Sequence, residues 1–595
     1  MKKNTLLVFM VIFGLLAAVM TVVVYLRKPE PSLQHLPSVQ PAVQQAPVVT
    51  GPQDMSVPAE TVPPVIPETP ESLITLENGI YSAVFSNKGA SLKTLILKQF
   101  DKDEKKQGKL EILYQIEKGK NSFIFSDAYL KEQYAYADWS LFAKTADSVT
   151  YRYVDSEGLQ IDKTFKFIPD RYGIEVTFDF RNLSQNILMR QLDICGPAGI
   201  FPEFDKRYLV SGYAGNFENG KWSVTEEPWS TLQEQITEGN EKEHDVNLTK
   251  WLGITNKYFA ATLVPVEEQC FSFFKFDFVV DNEYAAILSQ IYNKYGGRPS
   301  REQLKREFIA YKDAVKPNLS IKLRTQRLYF EATEKVTTFH LLSYAGPKRT
   351  DDLIAEPFGK YIHGEMLSYG WFGFISKILL AIMKAFFWLS GNYGVSIILL
   401  TLIVKVCMFP LTKKQYTAQY RMQDLSPKIK ALKEKYKNDP KKAQVETFKI
   451  FKEHGVNPIS GCLPLLMQLP IFIGLYQALY VSIDLRLAPF TMWITDLAQP
   501  DLFTELSFSI PILGTNKLHL LPLIMTVSWF IQSFLQPRSP DPEQAMQQKI
   551  FMFMPILFGF MFYSMPAGLV LYWLANTLFS IVEQQIIKRV FLPKT

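Results

Sequence analysis

Apolar stretches long enough to cross a bilayer recur at both ends of this chain, and they constrain its fold more than any other feature. The first runs from Thr5 to Leu26, between Lys2-Lys3 and Arg27-Lys28. A run of about 20 residues spans a hydrocarbon core of about 30 Å. The others are Gly394–Leu411, Cys462–Ser482, Leu518–Leu535, Ile550–Tyr563 and Ala567–Ile587, the last two separated by only Ser564-Met565-Pro566. Backbone amides in hydrocarbon must pair within their own segment, so each run reads as a helix and the set as six spans. The first differs from a cleaved signal peptide because charge and proline follow it, with no small-residue cleavage site. Residues 1–28 therefore read as an anchor. Tyr369–Leu389 is amphipathic and interrupted by Lys377 and Lys384, and residues 366–390 read as a helix lying in the interface.

The rest of the chain is of a different kind. From Pro29 to Pro70 there are 11 prolines in 42 residues, which favours extended polyproline II and a tether over residues 29–70. Residues 71–355 alternate apolar and polar side chains in short segments: Ile80–Phe85, Ser148–Val154, Gly173–Phe180, Phe271–Val280 and Leu319–Leu323. Period-two alternation rich in β-branched and aromatic residues predicts antiparallel strands, and a segment this long predicts a large all-β sandwich. A mean hydropathy of +0.00 with 21% charged residues fits such a mixture of membrane and aqueous parts. It excludes a disordered chain, and 4 Cys exclude a disulfide scaffold.

Loop charge gives the orientation. Residues 412–457 carry 12 Lys/Arg against 5 Asp/Glu, which leaves the rest of the chain at −1 of the total +6. The positive-inside rule places this loop in the cytoplasm, the β-domain outside, and both termini inside. Within the loop, Tyr420, Leu425, Ile429, Leu432 and Tyr436 recur at helical spacing. Asn438-Asp439-Pro440 interrupts them, and Val445, Phe448 and Phe451 resume. The segment reads as a helical hairpin with a basic exterior: Lys428, Lys430, Lys433, Lys435, Lys441 and Lys442. By charge alone this is a solvated face against anionic lipid or a docking arm, with the former favoured.

Lys405 lies inside an apolar span. A lysine near the bilayer centre costs about 2.5–3.5 kcal/mol, which makes it a functional candidate, although its stem is long enough to snorkel. Thr401, Lys405 and Thr412 share one helix face, Gln468 lies on the next span, and Tyr572, Asn576, Ser580 and Glu583 stripe the last. A single stripe would mean interhelical hydrogen bonding. Three stripes and a cation favour a water-filled groove.

These residues also carry a resemblance. Gly394-Val395-Ser396-Ile397 through Lys405 to Phe409-Pro410-Leu411-Thr412-Lys413 resembles the first core helix of the YidC/Oxa/Alb membrane-insertase family. The same holds for Val456-Asn457-Pro458, Gly461-Cys462-Leu463-Pro464, Gln468-Leu469-Pro470-Ile471-Phe472 and Leu475-Tyr476. Leu487-Ala488-Pro489-Phe490, Trp493-Ile494-Thr495-Asp496-Leu497 and Pro566–Trp573 follow in family order. Phe85–Ala90 and Trp251-Leu252-Gly253 to Tyr258-Phe259 are similar to the periplasmic domain of the Gram-negative type. The resemblance implies a bacterial inner-membrane insertase and chaperone that works alone or with the Sec translocon. Its substrates would be nascent membrane proteins, entering a hydrophilic groove of Lys405, Thr401, Gln468, Trp573, Tyr572 and Asn576 within a core over residues 391–595. It also implies that the hairpin receives ribosomes or targeting factors, with no direct nucleic-acid recognition. Lys405 stands where the family usually has Arg, keeping the charge and losing the planar fork of donors. Trp573 stands where some relatives carry Tyr.

Neither an enzyme nor a nucleotide-driven machine is expected. The six His are scattered without metal spacing, and G-x-x-x-x-G-K-[ST], H-E-x-x-H and G-x-S-x-G do not occur. No cofactor or metal is implied. A transporter would predict repeated intramembrane charges and internal repeats, which the sequence lacks. Cys195 and Cys270 fall on the same side of the membrane, and the sequence leaves their pairing open. Cys407 and Cys462 read as small apolar residues in or beside spans.

Overall fold

The computed structural model describes residues 70–591 except 104–105, 116–120, 130–133, 202–209, 230, 233–234, 236–241, 280–289, 291–292, 296–317, 333–334, 362, 456–462, 511–512, 514 and 537–541. The expected anchor, nearly all of the proline-rich tether, Val456-Asn457-Pro458 and Gly461-Cys462 lie outside these. The chain divides into two compact units, one of residues 1–68 with Thr504–Leu518, the other of 69–503 with 519–595. The described part of the first is an antiparallel hairpin, Thr504–Ile510 with Thr515–Leu518.

In the second unit the alternating segments are strands, as their period predicts. Leu159–Phe167 buries every second residue, and Gly173–Asn182 pairs with it on one edge and with Thr337–Pro347 on the other, so that Lys163 and Phe339 both oppose Phe178. These belong to a nine-stranded antiparallel sheet. Its order is Lys221–Glu227, Ser211–Glu218, Thr249–Thr255, Phe259–Pro265, Thr337–Pro347, Gly173–Asn182, Leu159–Phe167, Ser148–Val154, Ser140–Lys144. Two smaller sheets cover one face. A five-stranded sheet brings Phe125 to 5.5 Å from Phe178 and Phe271 to 5.3 Å from Phe339. A four-stranded sheet brings Phe85 to 4.8 Å from Phe165. The β-domain is therefore a sandwich with an aromatic core, and offset or edge-on ring pairs add to its area burial.

Two polar groups sit inside that core on defined partners. Arg190 gives Nη2–H to Asp155 at 2.6 Å and Nε–H to the Tyr134 hydroxyl at 3.1 Å, and Tyr134 donates to Asp155 at 2.9 Å. Lys163 is fully buried. Its ammonium donates to the carbonyls of Gly89 and Phe123 and lies 5.2–5.3 Å from the rings of Phe125, Phe165 and Phe178. Desolvation holds its pKa well below the usual lysine range. Cys195 and Cys270, both half-buried, are not joined in a disulfide.

Eight helices matter here: α1 Gly373–Ser390, α2 Tyr393–Asp424, α3 Ser426–Lys435, α4 Pro440–Glu453, α5 Leu463–Val481, α6 Leu520–Leu535, α7 Pro542–Phe562 and α8 Ala567–Ile586. Gly391 at φ 66° closes α1, donating its N–H to the Phe387 carbonyl at 2.7 Å. Asn392 then caps α2, accepting from Gly394 and Val395 at 2.8 and 3.1 Å while its amide donates to the Phe490 carbonyl at 2.9 Å. Gly394 is required there, because a Cβ would lie 2.1 Å from the Phe490 ring.

The sequence reading needs correction at two places. The span expected to stop at Leu411 continues through Pro410 to Asp424. One proline removes a single bond from 32 residues, and the turn closes again behind it. At about 48 Å this helix outruns a bilayer core of about 30 Å. The break comes instead at Leu425, before Ser426-Pro427, where proline suits the first turn of a new helix. Secondly, α7 begins at Pro542, inside what read as a loop up to Lys549. Among the described residues only α1 and α2 are long and apolar enough to cross a membrane, so helix length and composition do not confirm the six-span count. The 16 residues of α6 reach about 24 Å, and Asn576 and Glu583 lower the apolarity of α8. In the hairpin, Asp439 caps α4 by accepting from Lys442 at 3.0 Å. Phe451 joins Met422, Leu425 and Ile429 in a small core of its own, while Val445 and Phe448 stay exposed.

A strap after the last long strand joins the β-domain to the helices. Trp251 Nε1 donates to the Tyr361 carbonyl at 2.9 Å, and the fully buried His363 stacks on Trp251 with ring centroids 4.4 Å apart. His363 Nε2 lies 2.9 Å from the Thr262 hydroxyl. From the helical side, Arg486 reaches back to the Asp101 carbonyl at 2.8 Å. Burial pushes the His363 pKa down to about 3 from 6.5. The unfolded chain therefore binds a proton in this window that the folded chain refuses. The contribution of neutral His363 is complete above pH 6.5 and is lost as pH falls toward 3. Thermal unfolding scanned from pH 7 to pH 4 should fall less steeply in His363→Asn than in the unaltered protein; parallel curves would exclude this residue from the acid limb.

Candidate functional site: a polar seam between apolar helices

Helices α2, α5 and α8 meet along a line of polar side chains. Lys405, on α2, donates from Nζ to the Ser580 hydroxyl of α8 at 2.7 Å, and Ser580 donates to the Asn576 carbonyl at 2.8 Å. Gln468, near the start of α5, donates from Nε2 to the Tyr572 hydroxyl of α8 at 2.7 Å. Tyr572, Asn576 and Ser580 follow one another at i+4, so a single face of α8 supplies the seam. Between the two hydrogen-bonded pairs, Asn576 Oδ1 is buried without a partner among the described residues.

A carboxylate shares the site. Glu583 is 7% exposed, and neither of its oxygens has a hydrogen-bond partner among the described residues. Lys405 and Thr412 are the groups that bear on it. Thr412 directs its hydroxyl to the Met408 carbonyl at 3.1 Å. Lys405 is thus a half-buried ammonium on a hydroxyl, with the buried Glu583 carboxylate acting on it through charge rather than through a direct bond, an arrangement that offers both charge and exchangeable hydrogen bonds to a polar occupant.

The other expected residues fall elsewhere. Thr401 is fully buried, and its hydroxyl is committed to the Ile397 carbonyl of its own helix at 2.6 Å. Trp573 turns away from Tyr572 into an aromatic cluster, 5.0 Å from Phe472, 5.3 Å from Trp529 and 5.2 Å from Phe562. Lys428, Lys430, Lys435, Lys441 and Lys442 are exposed on α3 and α4, and Lys433 is half-buried there. Lys428 Nζ lies 3.1 Å from His454 Nε2, and Lys435 and Lys442 flank the Tyr436 ring. Cys407 is exposed on α2 rather than packed.

Sequence reasoning stopped the α2 stripe too early. Tyr416 and Tyr420 continue it at four-residue steps beyond Thr412, facing Gln532 of α6 and Gln584 of α8. The spacing was visible; the expected end at Leu411 hid it. The seam is closed at the other end by a loop. Asp501, 3% exposed, accepts the Trp493 indole N–H at 2.8 Å and the Leu520 and Leu521 amides at 2.9 and 2.8 Å, capping α6. The Gln499 and Leu497 carbonyls accept the first amides of α8 at 2.7 and 2.9 Å.

Comparison with known proteins adds an independent line. A family described as 60Kd inner membrane protein matches residues 385–594, and one described as YidC periplasmic domain matches 73–293. The membrane protein insertase YidC of Pelobacter propionicus is 31% identical over 539 residues, 88% of each chain. That of Geobacter metallireducens is 30% identical, covering 94% of this chain and 93% of its own. A crystal structure of an active YidC insertase with its first transmembrane domain resolved aligns at 18% identity and a TM-score of 0.34, over 86% of this chain and 92% of that one.

The seam can be dissected by stability. Lys405→Met removes the cation whose charge acts on the buried Glu583 carboxylate and should destabilise the protein, most of the loss being recovered in Lys405→Met/Glu583→Leu. Tyr572→Phe should cost only about 0.6 kcal/mol, the average for an interhelical bond between neutral groups. Denaturant unfolding in detergent reads both, and equal losses would mean that the cation and the carboxylate do not interact.

Proposed function

The chain belongs to the YidC family of membrane protein insertases, and from that premise we propose that it inserts nascent proteins by exposing their polar segments to the seam around Lys405. It is a bacterial inner-membrane protein with an all-β periplasmic domain, and it acts on membrane proteins by insertion rather than by enzymatic turnover. The observation that carries the reading is Lys405 itself, a cation inside an apolar helix whose hydrogen bond to Ser580 ends on α8.

In this reading the seam is one wall of a hydrophilic groove open to cytoplasm and lipid. A polar segment of the client enters from the cytoplasm, and its carboxylates exchange with Glu583 as partners of Lys405. The segment thereby avoids the full cost of polar groups in hydrocarbon. The client's own apolar helix then leaves sideways into lipid, and its burial drives the step. Six spans, with α1 lying in the interface and both termini in the cytoplasm, place the basic hairpin on the side where clients are made. Its lysines, with the exposed Val445 and Phe448, are the landing surface for ribosomes or targeting factors in this reading. The Sec translocon is a second partner under this proposal. The organisation assigned is an anchor at 1–28, a tether at 29–70, the sandwich at 71–355, the interfacial helix at 366–390 and the insertase core at 391–595.

Reconstitution into protein-free liposomes tests this. A small membrane protein synthesised outside should become protease-protected with the unaltered chain. Protection should drop at least tenfold with Lys405→Ala and return with Lys405→Arg, which restores the point charge. Full protection with Lys405→Ala would remove the cation from the mechanism.

A further inference from the structure

Where the sandwich meets the helices, a cavity of about 460 Å³ opens beside the last turn of α5, within the usual range of ligand pockets, about 300–1,000 Å³. Two lysines line it, Lys257 and Lys348, against one carboxylate, Glu226. Lys257 is only 8% exposed and lies over the rings of Tyr258 and Tyr480, at 4.7 and 5.1 Å. Lys348 lies 5.9 Å from the Tyr213 ring, and the Tyr213 hydroxyl is the group engaged by Glu226. The rest of the lining is mixed: apolar Leu367 and Val481, and hydrogen-bonding Gln477, Asn256 and Ser368 among others.

We propose that this cavity holds the phosphodiester head group of an anionic phospholipid from the outer leaflet, its phosphate between Lys257 and Lys348 and its first acyl carbons along Leu367 and Val481. The inference rests on the topology proposed above but concerns a site that insertion chemistry does not use. Three features favour a lipid over a peptide carboxylate. The cavity is at the end of an apolar helix, where head groups lie. Tyr476 and Tyr480 stack there at 5.8 Å, the aromatic placement that suits a membrane interface. Two ammonium groups and apolar side chains line the same cavity, which suits a molecule that carries a phosphate and acyl carbons together. Burial, with Lys257 adding to it against the pull of Glu226, lowers the Lys348 pKa to about 8, so an anion seated there meets a lysine that gains by its arrival.

Native mass spectrometry of the full chain, released from detergent with defined lipid, tests the site. With phosphatidylglycerol the unaltered chain should retain one lipid, and Lys257→Gln/Lys348→Gln should reduce that adduct at least tenfold. Ser368→Trp, which plugs the cavity and leaves both lysines, should do the same, and Lys257→Arg/Lys348→Arg should retain the lipid. Unchanged thermal unfolding would show that the variants are folded. Equal retention of phosphatidylcholine, retention unaffected by both variants, or displacement by millimolar inorganic phosphate or by an acidic peptide would each overturn the proposal. Loss of insertion in the liposome assay with lipid retention intact would sink the insertase mechanism and leave this site standing.

Discussion

Much of the helical part is organised around one constraint: an ammonium placed inside an apolar helix must have partners in reach. Lys405 cannot share α2 with a run of Ile, Leu and Val unless another helix brings it a hydroxyl and a counter-charge, and α8 brings both, as Ser580 and Glu583. That requirement sets which face of α8 turns inward. The same face carries Tyr572 to Gln468 on α5. Once it points inward, Trp573 must point to the aromatic cluster with Phe472, Trp529 and Phe562. The polar seam and the aromatic packing are two consequences of one rotation.

The termini of these helices obey the same rule at smaller scale. Backbone amides at a helix start need acceptors, and in apolar surroundings water does not supply them. Asn392 serves α2, Asp501 serves α6, and the carbonyls of Leu497 and Gln499 serve α8. The loop from Leu485 to Asp501 is thus a shared cap that fixes two helix starts, and Phe490 within it packs on Gly394 of α2. The β-domain is fastened by similar means, with Trp251, His363 and Arg486 each satisfying a group across the junction.

The sandwich was legible because its signal is local. A strand half-buried on one face repeats every two residues, and Ser148–Val154 and Gly173–Phe180 read correctly to within a residue or two at their ends. The helical hairpin was legible for the same reason, with Asp439-Pro440 marking the start of α4. Helix ends inside the apolar region were not, because Pro410 reads as a stop when only one neighbouring turn is considered. A 32-residue helix tolerates it, since the remaining hydrogen bonds hold the segment together. Nor was the exposure of Val445 and Phe448 legible: they step toward Phe451 three residues at a time, yet the face that packs runs through Ala443, Thr447 and Phe451.

By itself the sequence determined the kinds of structure present: apolar helices, an antiparallel sandwich, a basic hairpin, and one lysine inside an apolar helix. It also determined the family, because short motifs recur in order along most of the chain. The tertiary structure alone decided which polar residues meet. Thr401 and Lys405 are equivalent by spacing, but Thr401 closes on its own helix and Lys405 reaches across to another. Helical periodicity specifies a face and not the neighbour that face will find, and a long flexible ammonium needs a partner from outside its helix where a short hydroxyl can use the carbonyl four residues back.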